Sequence, residues 1–185
     1  MMRPMPTVPG AVRSCLLMAA VCAIVLKGAD YVPSLLAGTP HDARVYWTLA
    51  DAEAAIGEPI WVPSSYPASI EWPPSRIDVW PVPPVWVAVH FHARAGGRIG
   101  LILVQSIGAR ARPPEALLPP METLLRVDDV PLGAHTATMT RELAPGGQLL
   151  HDLSWDQGTR HLVLRYAGPV EDMLLLAGNL ERIHP

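Results

Sequence analysis

His90 and His92 stand two apart in Val85 to Arg94, a run that alternates apolar and polar residues. In an extended strand, residues i and i+2 share a face. Both imidazoles therefore project from one side and could share a metal ion, as paired ligands do in histidine-based sites. No carboxylate or third histidine stands beside them in the chain, and His135, His151 and His161 can approach only through the fold. The plainer account of the pair is a solvated or partly packed polar strand face. No metal and no cofactor is assigned on this reading, and His90 and His92 are the residues that would begin such a site. Ser64-Ser65 and Ser154 lack the Gly-x-Ser-x-Gly elbow that exposes a serine nucleophile. Asp128-Asp129 precedes Val130-Pro131 and reads as a turn pair, where aspartate bonds its own backbone. No nucleophile, base and oxyanion donor converge in the sequence, so the expectation is a protein without catalytic activity.

The tryptophans are more informative. Four of six, Trp61, Trp72, Trp80 and Trp86, fall within one proline-rich stretch. Tryptophan combines large contact area with one polar handle and is favoured at interfaces and apolar grooves. These four are the candidate surface for a partner or an apolar ligand; the alternative is that they pack beneath proline loops. Arg94, Arg98, Arg110 and Arg112 could form a basic rim near the first hairpin, although such residues more often guard an edge strand against aggregation.

Several function classes are excluded by composition. A formal net charge of −3 with no basic run argues against sequence-independent nucleic-acid binding, which needs Lys and Arg to neutralise phosphates. Both cysteines, Cys15 and Cys22, lie in an apolar segment. The remaining chain therefore holds neither a disulfide framework nor a cysteine-ligated metal, and its stability must come from packing.

That apolar segment, Ser14 to Leu26, follows Arg3 and Arg13. A basic flank tends to stay in the cytoplasm while the following chain crosses the membrane. At about 13 residues the run suits a signal-peptide core and falls short of the roughly 20 that span a bilayer upright. Lys27-Gly28-Ala29 is a poor cleavage site, and Lys27 can snorkel, so residues 1–29 read as either a signal peptide or a short anchor. A linker is expected over 30–47, and an extracytoplasmic domain over 48–185.

Within that domain, Thr48-Leu49-Ala50-Asp51 resembles a capping box opening a helix to Ile56, with Gly57 at its C′ position. Arg76–Trp80, Val85–Arg94 and Arg98–Ser106 read as strands, the last two forming a hairpin through Ala95-Gly96-Gly97. Glu122–Val127 reads as a strand, Asp128–Gly133 as a turn or bulge, and Ala134–Glu142, Gln148–Trp155 and Thr159–Tyr166 as a meander. Gly168-Pro169-Val170-Glu171 opens a closing helix that runs to Ile183. The fold class is α+β, a curved antiparallel sheet of about six or seven strands with two packed helices, preceded by the N-terminal apolar helix.

This order resembles a family. The helix at Thr48–Ala55 followed by Pro59-Ile60-Trp61-Val62-Pro63-Ser64-Ser65-Tyr66-Pro67 is similar to the start of an uncharacterised bacterial extracytoplasmic domain. That domain stands behind the membrane segment of anti-sigma-factor-like and sporulation-type proteins. Val127–Ala134 resembles its strand and Gly-centred turn, Leu153-Ser154-Trp155 with Gly158 and Leu162-Val163-Leu164 its "Trp, turn, apolar strand" signature, and Glu171–Ile183 its closing helix. The resemblance covers about Thr48 to Ile183, and the insertion at Trp72–Val85 departs from it. It implies kinship with lipoprotein-carrier folds, half-barrels wrapped around helices, and supplies no catalytic residues.

Two roles are expected from these readings. The first is a membrane-tethered or secreted extracytoplasmic interaction or sensory domain that contacts another envelope protein. Met1–Arg13 is too short for the sigma-binding domain an anti-sigma factor needs, a departure that counts against a direct transcriptional role. The second is a carrier of a lipid or other apolar ligand in the envelope. Membrane contact is expected through residues 14–26 if they are uncleaved.

Overall fold

The computed structural model describes residues 43–182, apart from 96–97, 115–116, 119–121 and 145–146. The expected apolar helix at 14–26 lies outside them. Among the described residues no helix is long and apolar enough to cross a membrane.

Among the described residues ten strands and two helices follow one another as β1 (Arg44–Tyr46), α1 (Leu49–Ile56), β2 (Trp61–Pro63), β3 (Arg76–Trp80), β4 (Val85–His92), β5 (Ile99–Ile107), β6 (Thr123–Leu132), β7 (His135–Leu143), β8 (Leu149–Gln157), β9 (Arg160–Tyr166), α2 (Val170–Gly178) and β10 (Leu180–Arg182). Eight strands form one sheet in the order β1-β3-β4-β5-β9-β8-β7-β6, while β2 and β10 form a second of two. All pairs are antiparallel. The fold is α+β, with more strands than the six or seven expected.

The extra strands come from short segments whose partners are remote in sequence. Residues 44–46, expected within a linker, pair with β3. The closing helix stops at Gly178 rather than Ile183, because Asn179 leaves the helical conformation and Leu180–Arg182 turns to pair with β2. β6 also runs further than expected, through Asp128-Asp129 to Leu132. Those aspartates are held by strand neighbours rather than by a turn: Arg126 Nε donates to Asp128 at 2.8 Å, and Thr138 Oγ1 donates to Asp129 at 3.3 Å. β6 is the sheet's last strand, a position where Pro131 is tolerated without its N–H.

α1 starts as its sequence specifies. Thr48 accepts a hydrogen bond from the Asp51 backbone N–H at 3.2 Å, and Gly57, at φ 72°, ends the helix in the left-handed region that glycine enters without steric penalty.

The alternation in β4 and β5 separates two apolar layers. Val87, Val89, Phe91, Leu101 and Leu103 face the helices, joining Leu153, Leu162 and Leu164 from the meander and Ala52, Ile60, Met173 and Leu176 from the covering elements. Each such leucine or phenylalanine contributes roughly 1.5–3 kcal/mol by leaving water. Trp86, Ala88, Ile102, Val104 and Val163 face the other way and are covered by Leu117, with Ala111 and Leu118 alongside. β4 is thus covered on both faces, where a half-buried strand was expected. α2 touches both β9 and β6.

Candidate functional site

The structure distributes the four candidate tryptophans over three places. Trp80 and Trp86 stand opposite each other on β3 and β4 and pack on the outer face, Trp86 being only 4% exposed. Trp61 lies on the helix side beneath Arg160, whose guanidinium carbon is 5.1 Å from the ring centroid. Trp72 is 48% exposed and stacks on Phe91 at 6.3 Å between centroids, with Tyr66 5.3 Å away. Of the four, Trp72 alone combines substantial exposure with an aromatic cluster.

Two of the histidines each pair with one carboxylate. His90 Nε2 lies 3.1 Å from Asp78 Oδ2, and Arg76 Nε donates to Asp78 Oδ1 at 2.6 Å. Burial opposes ionisation of Asp78, but the bonds and charges of His90 and Arg76 prevail and hold its carboxyl below the usual value. The register against β5 shifts between Phe91 and His92, with Gly100 as the extra residue on β5, so His90 and His92 keep their places two apart on β4. His161 pairs with Asp156 at 2.7 Å on the outer face, whereas His151 faces the helices. Among the described residues, no group of three His, Cys, Asp or Glu side chains could hold a metal. Arg94, Arg98, Arg110 and Arg112 are exposed, and Arg110 Nε donates to the Gly158 carbonyl.

A site the sequence did not announce lies beside Trp72. Leaving β2, the chain forms Ser64-Ser65-Tyr66-Pro67 and runs close to α2. Ser65, Tyr66, Pro67, Asp172, Leu175 and Leu176 line a cleft of about 190 Å³ between them. Its walls are fixed. The Ser64 backbone N–H donates to the Asn179 carbonyl at 2.9 Å, and the β2–β10 pairing holds the base of both walls. Behind β2, Gln105 on β5 is fully buried and bonds both backbone groups of Trp61, accepting from its N–H at 3.0 Å and donating to its carbonyl at 2.9 Å. Arg160 Nη1 donates to the same side-chain oxygen at 2.7 Å. The sheet thereby fixes the strand from which the cleft loop springs.

The cleft has apolar walls and oxygen-bearing polar groups. Pro67, Leu175 and Leu176 supply the first, and Ser65, Tyr66 and Asp172 are the polar residues of the lining. Tyr66 Oη is buried without a hydrogen-bond partner, and burial raises its pKa, so it stays a neutral phenol. Asp172 accepts a long bond from Tyr166 Oη at 3.4 Å. Tyr66 read in sequence as a turn residue and Asp172 as part of a helix start. Their meeting depends on chain segments over a hundred residues apart, and no local pattern signals it.

Comparison with known families, curated proteins and solved structures gives no match.

Proposed function

We propose that the chain is an extracytoplasmic interaction or sensory module, tethered to the membrane or secreted, that docks another envelope protein at the cleft between the Ser64–Pro67 loop and α2. The reading assigns it no catalytic role. The observation that carries it is the mismatch between a filled interior and a small, rigid, partly apolar surface cleft. The space between sheet and helices is occupied by buried side chains, and the cleft's 190 Å³ is below the roughly 300–1,000 Å³ of pockets that enclose whole ligands. A lipid chain has no room there, but one anchoring side chain of a partner does, and interface energy concentrates in such anchors. Exposed Trp72 and Leu175 beside the cleft supply contact area. The basic flank and apolar run before residue 27 support the location. Contact of α2 with both β9 and β6 is in keeping with the half-barrel family that the sequence resembles.

A photocrosslinking amino acid placed in the full chain at Leu175, at Trp72, or at Val82 on the far β3–β4 connection tests this in cells. Discrete crosslinked species from positions 175 and 72, and none from position 82, are expected. Identical patterns at all three positions, or none, would overturn the docking surface. Stoichiometric lipid retained in native mass spectrometry of the purified chain would favour the carrier instead.

A further inference from the structure

Among the described residues, β6 ends the large sheet with one side unpaired. At ten residues, Thr123–Leu132, it is at the long end of the usual range for strands. Leu124, Leu125 and Val127 on it are each at least half exposed. The two-residue turn that follows makes Leu132 and His135 the first pair of the hairpin, a pair that exchanges both backbone bonds. Alternate residues of β6 therefore bond β7, and Pro131, Asp129 and Val127 turn their backbone groups outward. Pro131 has no N–H to offer there, so the open stretch of edge lies around Val127 and Asp129. Such an edge is a template for a further strand.

Charge selects which strand fits. Arg126 and Asp128 share one face, with Arg126 Nε 2.7 Å from Asp128 Oδ2 and the arginine largely exposed. A second copy of β6 laid antiparallel along the first can take several registers, each with its own two-fold axis. An axis at Arg126 sets that arginine against its copy, and axes at Asp128 or Asp129 set aspartate against aspartate. Like charges directly opposite are unfavourable. An axis at Val127 sets Arg126 of each copy opposite Asp128 of the other and covers exposed Val127 with its own copy.

We propose that two copies of this chain pair antiparallel through β6, with the two-fold axis at Val127, so that the eight-stranded sheet continues across a dimer. Arg126 and Asp128 of both copies form a four-charge cluster beside the axis. The bulge between Leu124 and Arg126 and the missing N–H of Pro131 bound the paired stretch. Both are devices that discourage pairing of an edge in other registers. The contact is isologous and closes at two copies. It uses none of the residues that line the cleft.

The test uses the full chain in detergent micelles with Cys15 and Cys22 replaced by serine. On mild oxidation Val127→Cys should give a disulfide-linked dimer, since such opposed residues stand about 5.5 Å apart between Cα atoms, within disulfide reach. Leu124→Cys, equally exposed, should not, because its two copies stand about six residues, or roughly 20 Å, apart along the paired strands. Sedimentation equilibrium of the chain without these new cysteines should show monomer and dimer. Arg126→Asp should weaken the dimer about tenfold, and adding Asp128→Arg should restore it. Circular dichroism checks that each variant keeps its sheet. Equal disulfide yields at positions 124 and 127, a dimer indifferent to Arg126→Asp, or a chain that stays monomeric at every concentration would overturn the assignment.

Discussion

Replacing Gln105 by leucine tests whether the sheet holds the cleft in place through one buried amide. Leucine has nearly the volume of glutamine, so the change leaves little cavity and isolates the polar network. Three bonds disappear: those from Gln105 to the Trp61 N–H at 3.0 Å and to its carbonyl at 2.9 Å, and that from Arg160 at 2.7 Å. A buried group left unpaired is destabilised by about 1–3 kcal/mol. Trp61 is only partly buried, and Arg160 keeps the Trp61 ring and Glu58, 3.6 Å away, so values near the lower end apply. Burying the leucine returns roughly 2 kcal/mol. The net expectation is a loss of about 1 kcal/mol, or a Tm lower by about 4 °C for a domain of this size. Urea unfolding followed by tryptophan fluorescence measures it, with an unchanged m-value marking a true stability effect. Gln105→Glu, which keeps an acceptor for Trp61 and Arg160, should lose less. The cleft should respond too, with crosslinking from Leu175 weakened in Gln105→Leu because the strand leading into Ser64–Pro67 is no longer anchored. A leucine variant as stable as the parent would refute the idea that this amide fixes β2.

Four further outcomes are expected. The Tyr166 ring occupies the space a Cβ on Gly168 would need, so Gly168→Ala should displace it from Ser69 and Asp172 and lower stability by about 2 kcal/mol, as overpacking does; calorimetry reads the change. Arg165 donates twice to Asp152, at 2.6 and 2.7 Å, with both side chains largely buried. Asp152→Ala should therefore destabilise by about 3 kcal/mol in chemical denaturation. Burial first and the Asp152 charge second raise the Glu142 pKa against the pull of Arg165, so Asp152→Asn should bring it down in a carboxyl NMR titration. Burial and the Arg141 charge hold the His151 pKa below its ordinary 6.5, against the Gly168 backbone bond and the charges of Asp152 and Glu171. The unfolded chain then binds a proton that the folded chain refuses, so stability is full above about pH 6.5 and falls as pH drops through the folded value. His151→Gln should flatten that part of the stability profile.

Local pattern was enough to read much of the fold. The Thr48 cap, the left-handed Gly57, the β4–β5 alternation and the β7–β8–β9 meander each express a rule that acts over a few residues. β1, β2 and β10 were not legible as strands because three residues have no period of their own; what makes them strands is a partner edge contributed by distant chain. Asp128-Asp129 misled for a related reason, since the turn preference of aspartate is local, whereas Arg126 and Thr138 engage those carboxylates on a pleated surface. The tryptophan stretch pointed to Trp72 but equally to Trp61, Trp80 and Trp86, which the pleat and the outer covering sent elsewhere. Tyr66 and Asp172 were invisible as a site because each looks ordinary among its neighbours.

The junction between β5 and β9 has a consequence for the order in which the chain can fold. β1, β3, β4 and β5 form one run of neighbours and β9, β8, β7 and β6 another, joined only where Leu101–Gln105 meets Leu162–Tyr166. During synthesis, β5 emerges well before β9 and presents an apolar strand with one side unpaired. Pairings of such long sequence separation form slowly, and a bare apolar edge invites association with other chains. The first half cannot complete the sheet until β9 arrives. It also needs shielding until the second half arrives, which makes Ile99–Ile107 the segment most in want of a chaperone.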